Sequence, residues 1–318
     1  MSVSLWSRFT GILPATIDAR VRVIAWASLV VQLLLIGTGG AVRLTGSGLG
    51  CPTWPQCVPG SLTNTPEMGI HGVIEFTNRA LTGVVVIIAI LAFLAVLRMR
   101  AQRRDLFVLT LLQGLSIPLQ AVIGGITVLT GLNSYIVGLH FVVSIVLVAL
   151  TAMLVFRVYY GPRGALRIMP TWYTALAHLA SFFVAVTVLV GILTTGSGPH
   201  AGDADAPRNG LDSELLQHIH SWPAYVTVAL TLVLVVWAVS RRLPVRRWVV
   251  LLLAVELAQT AVGLIQANLG LPALLVGIHM VLACVLASAM TAVILNLKQP
   301  VAVAAPPTPS TTADSLSR

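Results

Sequence analysis

Apolar residues fall in eight long runs separated by short polar segments. The runs cover about 23–42, 70–97, 106–129, 135–156, 172–195, 215–239, 248–268 and 273–297. A helix crossing the hydrocarbon core of a bilayer needs roughly 20 such residues, so each run predicts one membrane span. The first is too long for the core of a secretory signal and no cleavage site follows it, so it counts as a span. The expected fold is an all-α polytopic membrane protein.

Composition agrees. The 318 residues are 57% hydrophobic and 9% charged, against about 25% charged in soluble domains. Such a chain is neither a soluble globule nor disordered, and three cysteines make no disulfide scaffold. The net charge of +9 lies in clusters between the runs. No basic stripe with interleaved aromatics exists, so nucleic acid is not an expected partner. With the N-terminus placed in the cytoplasm, 16 of the 19 basic residues fall on the inner side. The outer side then holds Arg43, Arg79 and Arg208. The excess of inner positive charge predicts a multi-pass protein of the cell membrane with both termini cytoplasmic.

The two halves repeat. Gln120-x-x-x-Gly124 matches Gln259-x-x-x-Gly263, Gly131-Leu132 matches Gly270-Leu271, and Gly138-Leu139-His140 matches Gly277-Ile278-His279, all at one offset of 139 residues. Thr-Gly-Ser-Gly follows both the first span (Thr45 to Gly48) and the fifth (Thr195 to Gly198). Four spans per unit make the repeats parallel, so two duplicated four-helix bundles are expected, at 23–156 and 172–297. A cytoplasmic N-terminus (1–22), an outer cysteine loop (43–69), a cytoplasmic linker (157–171) and a disordered cytoplasmic tail (298–318) complete the chain.

Ionisable groups inside a membrane are costly and by default mark function. His140 and His279 each lie a few residues into spans that enter from outside, roughly 8–10 Å below the outer surface at 1.5 Å per residue. His218 and His220 open the sixth span, and residues two apart cannot share a helix face. Imidazoles on facing helices at one depth suit the axial positions of an iron porphyrin. His178 reads instead as an interhelical contact and His200 as solvated loop. On the second span His71, Glu75 and Asn78 share one face. A carboxylate there must be paired or protonated, with Arg79 or His71 as partner. A Glu75–Arg79 pair that merely anchors the helix end is the plainer alternative. The lone Glu256 predicts an interhelical hydrogen bond. Cys51 and Cys57 flank a Pro- and Trp-containing outer loop and can form a disulfide, structural or redox-active. Cys284 reads as apolar filler.

In this order across eight spans, the residues resemble the haem A synthase family. The resemblance covers about residues 20–297. It rests on Thr-Gly-Ser-Gly with the Cys…Trp-Pro…Cys loop, on Glu75-Phe-Thr-Asn78-Arg79 in place of a Glu-x-x-His-Arg signature, on single histidines opening spans four and eight, and on a histidine opening span six. It implies oxidation of the C8 methyl of haem O to the formyl group of haem A for a terminal oxidase, by two hydroxylations and loss of water. It implies a haem b cofactor with axial ligands His220 and His279, and substrate haem O near Glu75 and His140. Glu75 would act as base or as an anion stabilising charge on the reacting carbon. The implied partners are the haem O synthase (protohaem farnesyltransferase) as donor, an electron-transfer protein and, as a homo-oligomer, further copies of the chain. Asn78 departs from the signature histidine. The second ligand of substrate iron is then absent, or is Asn78 or His71. Arg43 or Arg79 is expected to pair a haem propionate. Two other readings compete. A dihaem cytochrome b-type electron carrier to quinone leaves Glu75 and the cysteine loop unexplained. A transporter of parallel repeats needs a polar site at the midplane.

Overall fold

A computed structural model describes residues 11–301. Among these residues are eight long helices: α1 Ala19–Leu44, α2 Gly69–Leu97, α3 Arg104–Leu129, α4 Ser134–Tyr160, α5 Thr171–Ser197, α6 Ser213–Ser240, α7 Arg246–Asn268 and α8 Ala273–Leu295. All eight are long and apolar enough to cross a membrane. Local chemistry fixes several starts. Asp18 caps α1 by accepting from the Val21 amide at 3.1 Å. Asn133 caps α4, and Asp212 caps α6 through the Glu214 and Leu215 amides. Each satisfies amide groups that have no partner within the helix.

The sequence repeat is also a repeat of backbone shape. Gly131-Leu132 and Gly270-Leu271 both place two successive residues at positive φ, between 59° and 73°. Leucine seldom adopts that conformation. In both places its amide reaches back to the carbonyl five residues earlier, Leu132 to Thr127 at 2.7 Å and Leu271 to Gln266 at 2.8 Å. The turns α3–α4 and α7–α8 are therefore copies of each other.

Each bundle is dry in its inner half. Ala25, Val96, Leu106 and Val148 are among the core of the first, with Tyr173, Leu234, Val249 and Leu252 in the second. Helices α1, α4 and α8 meet at the seam between bundles. Towards the outer side the packing loosens: His140, His220, Gln259, Gly263 and His279 are only half-buried.

The inner surface differs from the expected linker and disordered tail. Helix α4 runs on to Tyr160, and β1 (Arg163–Arg167) pairs antiparallel with β2 (Lys298–Pro300). The two segments leave the membrane side by side, and pairing satisfies backbone groups that the helices no longer serve. The rest of that tail, and residues 1–10, lie outside the described residues.

One inner ion pair ties the turns together. The Arg103 side chain, 6% exposed, makes two hydrogen bonds to Asp105, at 2.9 and 3.0 Å. It also donates to the Arg157 carbonyl at 2.8 Å, linking the start of α3 to the end of α4. Removing one partner strands the other charge. Asp105→Ala is expected to cost about 3 kcal/mol, read as a lowered unfolding temperature in detergent.

Candidate functional site

Two clusters of polar side chains stand in the looser outer halves, one in each bundle. In the first, Glu75 is 5% exposed. Its Oε2 accepts from the Cys51 amide at 2.6 Å. Its Oε1 accepts from Arg79 Nε at 3.1 Å and Nη2 at 2.5 Å. Arg79 donates further to the carbonyls of Thr53, Gln56 and Cys51. Of the two partners the sequence offered Glu75, Arg79 is the one used. The pair does more than anchor a helix end, because it grips the outer loop. Cys51 alone holds both sides, its amide on the carboxylate and its carbonyl on the guanidinium.

The loop is held in turn by the Cys51–Cys57 disulfide, whose cysteines are both fully buried. Two glycines let it settle. Gly50 presses on the backbone of His71 and Gly72, where a Cβ would collide. Gly125 of α3 takes the Trp54 ring where its own side chain would stand. Trp54 thus covers α3 beside Gly124, the residue against which His140 rests.

His140 lies with Cε1 3.2 Å from where a Cβ on Gly124 would be, and Gln120 Nε2 donates to its carbonyl at 3.3 Å. In the second bundle the same contacts recur. His279 Cε1 is 3.1 Å from the corresponding point at Gly263, and Gln259 donates to its carbonyl at 3.2 Å. The Gln-x-x-x-Gly repeat is a seat for an imidazole, the amide fixing the helix and the glycine making room. The spacing was legible in the sequence; its purpose was not.

His220 completes the second cluster. Its Nδ1 lies 2.9 Å from the Thr187 carbonyl. A carbonyl only accepts, so Nδ1 carries the hydrogen and Nε2 keeps its lone pair. Gly191 of α5 makes room for this ring as Gly263 does for His279. The His220 and His279 ring centroids are 6.2 Å apart, with the planes at 75°. Two imidazoles on opposite sides of one metal, with metal–nitrogen bonds of about 2 Å, have centroids a little over 6 Å apart. His220 and His279 therefore fit the axial pair of an iron porphyrin. His218 is exposed, whereas its neighbour His220 is half-buried and faces His279.

The first bundle breaks this symmetry. The Asn78 amide oxygen accepts from Thr38 Oγ1 at 2.7 Å and faces Gly39 of α1. His71 lies seven residues nearer the outer surface, about 10 Å along the helix. It is exposed and its Nδ1 meets Ser47 Oγ at 2.9 Å. There it lines an open hollow of about 560 Å³ with Leu49, Met68 and Asp203.

Other expected roles shift. Arg79 is fully engaged within the protein. Arg43 Nε and Nη2 donate to the carbonyls of His200 and Thr195. His200 is not simply solvated: its Nε2 meets the Leu271 carbonyl at 2.9 Å, so with Arg43 it straps the two bundles together. His178 is exposed on α5 and makes no hydrogen bond among the described residues, in place of the expected interhelical contact. Glu256 does make its expected bond, accepting from Thr231 Oγ1 at 2.8 Å. Cys284 is buried and free.

Known proteins agree with this architecture. A family model described as cytochrome oxidase assembly protein, COX15-CtaA, matches residues 22–291. The chain is similar to heme A synthase of Bacillus pumilus (strain SAFR-032), 26% identical over 223 residues, which cover 68% of this chain and 72% of that protein. It is 28% identical over 272 residues to heme A synthase of Listeria monocytogenes serovar 1/2a (strain ATCC BAA-679 / EGD-e), covering 81% and 87%. It is 35% identical over 168 residues to that of Lysinibacillus sphaericus (strain C3-41), covering 49% and 53%. With two duplicated imidazole seats and a family match across all but the last few residues of the eighth span, the chain belongs to the COX15-CtaA cytochrome oxidase assembly family.

Proposed function

We propose that this protein is a haem A synthase, an oxidoreductase that converts the C8 methyl of haem O to a formyl group. The observation that carries the reading is the pairing of two unlike sites in one duplicated frame. One has two facing imidazoles. The other has a single imidazole, His140, in the bundle where Glu75 is buried under a disulfide-closed loop. A dihaem electron carrier would have equivalent ligands in both bundles, and Asn78 with its amide held by Thr38 does not supply them.

The roles follow from the chemistry of each group. His220 and His279 hold haem b, which when bound supplies one-electron storage next to the substrate bundle. His140 ligates the iron of haem O. Asn78 is turned to Thr38, and His71 stands too far out to share that depth. Glu75 faces the reacting methyl as the group that takes its proton or stabilises positive charge on its carbon. Arg79 and the Cys51 amide orient that carboxylate and keep it from moving as charge develops. Trp54 excludes water. Arg43 Nη1, which makes no hydrogen bond among the described residues, is the donor left for a propionate. Two hydroxylations of the methyl, each a two-electron oxidation drawing on dioxygen with a reductant or on water with an electron acceptor, and loss of water from the gem-diol would give the aldehyde. Haem O arrives from the farnesyltransferase that makes it, electrons pass to or from a separate redox protein, and both termini lie in the cytoplasm.

Purified protein given haem O, a reductant and dioxygen, or haem O and an electron acceptor, is expected to yield hydroxylated and formyl haem on pigment chromatography; their absence under both conditions would refute the synthase reading. Glu75→Ala should cut product at least 100-fold while leaving the haem b spectrum unchanged. His279→Ala should abolish that spectrum, and its persistence would show that another residue is the ligand. Replacing Cys51 and Cys57 together by Ser should lower turnover about tenfold through a looser Glu75. The haem b spectrum should stay intact, and an unaltered rate would show that the loop does not hold the carboxylate.

A further inference from the structure

Glu256 is the buried carboxyl that the proposed reaction does not use. It is 3% exposed and sits on α7 at the boundary between the dry inner half of the second bundle and its looser outer half. One turn inward Leu252 is fully buried, as is Val249 two turns inward. Outward on the same face come Gln259, which donates to the His279 carbonyl, and Gly263, on which the His279 ring rests. Glu256 therefore lies on the floor of the space between His220 and His279, about 10 Å along the helix from Gly263.

Its hydrogen bonding is half complete. Oε1 accepts from Thr231 of α6, while Oε2 is buried with no partner. A charged carboxylate with one hydroxyl donor is badly solvated in a membrane interior, whereas a proton on Oε2 neutralises it. Among the described residues no charged side chain pairs with it. Helix α7 packs on α6 and α8. From α6 Thr231 faces Glu256, with His220 further out. On α8 the titratable groups are His279, further out, and Cys284, which is turned into the core of the first bundle. Arg246 and Arg247 stand at the inner end of α7, roughly 15 Å away along the axis.

The charge that can reach this carboxyl is the one that changes between the two histidines. We propose that Glu256 takes up a proton when the haem held by His220 and His279 is reduced, and releases it on oxidation. This rests on the ligand reading above. One electron from a one-electron reductant converts iron(III) to iron(II), and one proton from water joins Oε2. The iron–porphyrin core is one unit more positive when oxidised, which favours the carboxylate; reduction removes that unit and favours the acid. Leu252 and Val249 are buried on the inner side, so the proposed exchange runs past Gln259 on the side of the histidines. At this distance, with an effective dielectric near 20, the coupling amounts to about a tenfold change in the reduction equilibrium.

Redox titration of the purified haem-loaded protein at a series of pH values tests this. Protonated Glu256 favours reduction, so the midpoint potential should be higher at low pH. It should fall as pH rises by a total of about 59 mV, the one-electron equivalent of tenfold. Glu256→Gln should remove that part of the fall and hold the low-pH value, and Glu256→Asp should retain it in part. Reduced-minus-oxidised infrared spectra of the wild-type protein, with glutamate isotopically labelled, should gain a carboxylic acid carbonyl band. That band decides the matter even where the variant does not fold. A bis-histidine spectrum with no such band, or an equal pH dependence in Glu256→Gln, overturns the proton role and leaves the ligands standing. A protein that holds no haem between these histidines overturns both.

Discussion

Taking a polar group out of water and into hydrocarbon costs several kcal/mol unless it finds a partner, and this cost organises the whole molecule. It forces the backbone into helices of membrane-spanning length, gathers 14 of the 17 basic residues among those described at one end of the bundles, and leaves few ionisable groups within the spans. Some of those few are matched by other groups of the protein and some are not. Glu75 is matched on both oxygens. The ring nitrogens Nδ1 of His140 and His279 are buried without partners.

The inner halves of both bundles meet the same constraint mainly with apolar side chains, and the buried hydroxyls of Thr110, Thr151 and Thr231 bond there to helix carbonyls or to Glu256. Val96, Leu106, Leu234 and Leu252 pack closely there and give each bundle its rigidity. The outer halves can then be loose, because the frame is already fixed below. The disulfide-closed loop and the strap made by Arg43, His200 and Leu271 close the top. In the proposed reading a flat porphyrin enters between helices held at both ends.

Much of this was legible in the sequence, because its signals were periodic or duplicated. Eight apolar runs gave eight helices, and the constant offset of 139 residues marked the copied turns and the paired His140 and His279. Signals carried by shape rather than type stayed hidden. Nothing in a string of letters says that Trp54 will lie on Gly125, that the Cys51 backbone will bridge Glu75 and Arg79, or that Arg43 will spend its donors on carbonyls of the other bundle. These contacts join residues far apart in sequence and use backbone groups, which every residue carries. The choice between His218 and His220 was open for a related reason. Both sit on the same helix turn, and only the packing of α5 decides which ring faces inward.

Duplication also explains why one chain can hold two unlike sites. Copying a bundle copies its glycine seats, its turns and its glutamine–carbonyl bonds, none of which specifies chemistry. Chemistry enters through single positions at the open end. At one such position the second bundle has His220, with Nδ1 tied to Thr187 and its ring centroid 6.2 Å from that of His279. The first has Asn78, an amide too weak as a ligand to compete for iron and held by Thr38. A haem with two strong axial ligands is closed to new bonds and suited to storing an electron. One with a single ligand would keep a position open, and in the proposed reading that position belongs to the bundle of Glu75. In the proposed enzyme, that one difference would divide a symmetric frame into an electron-handling half and a reacting half.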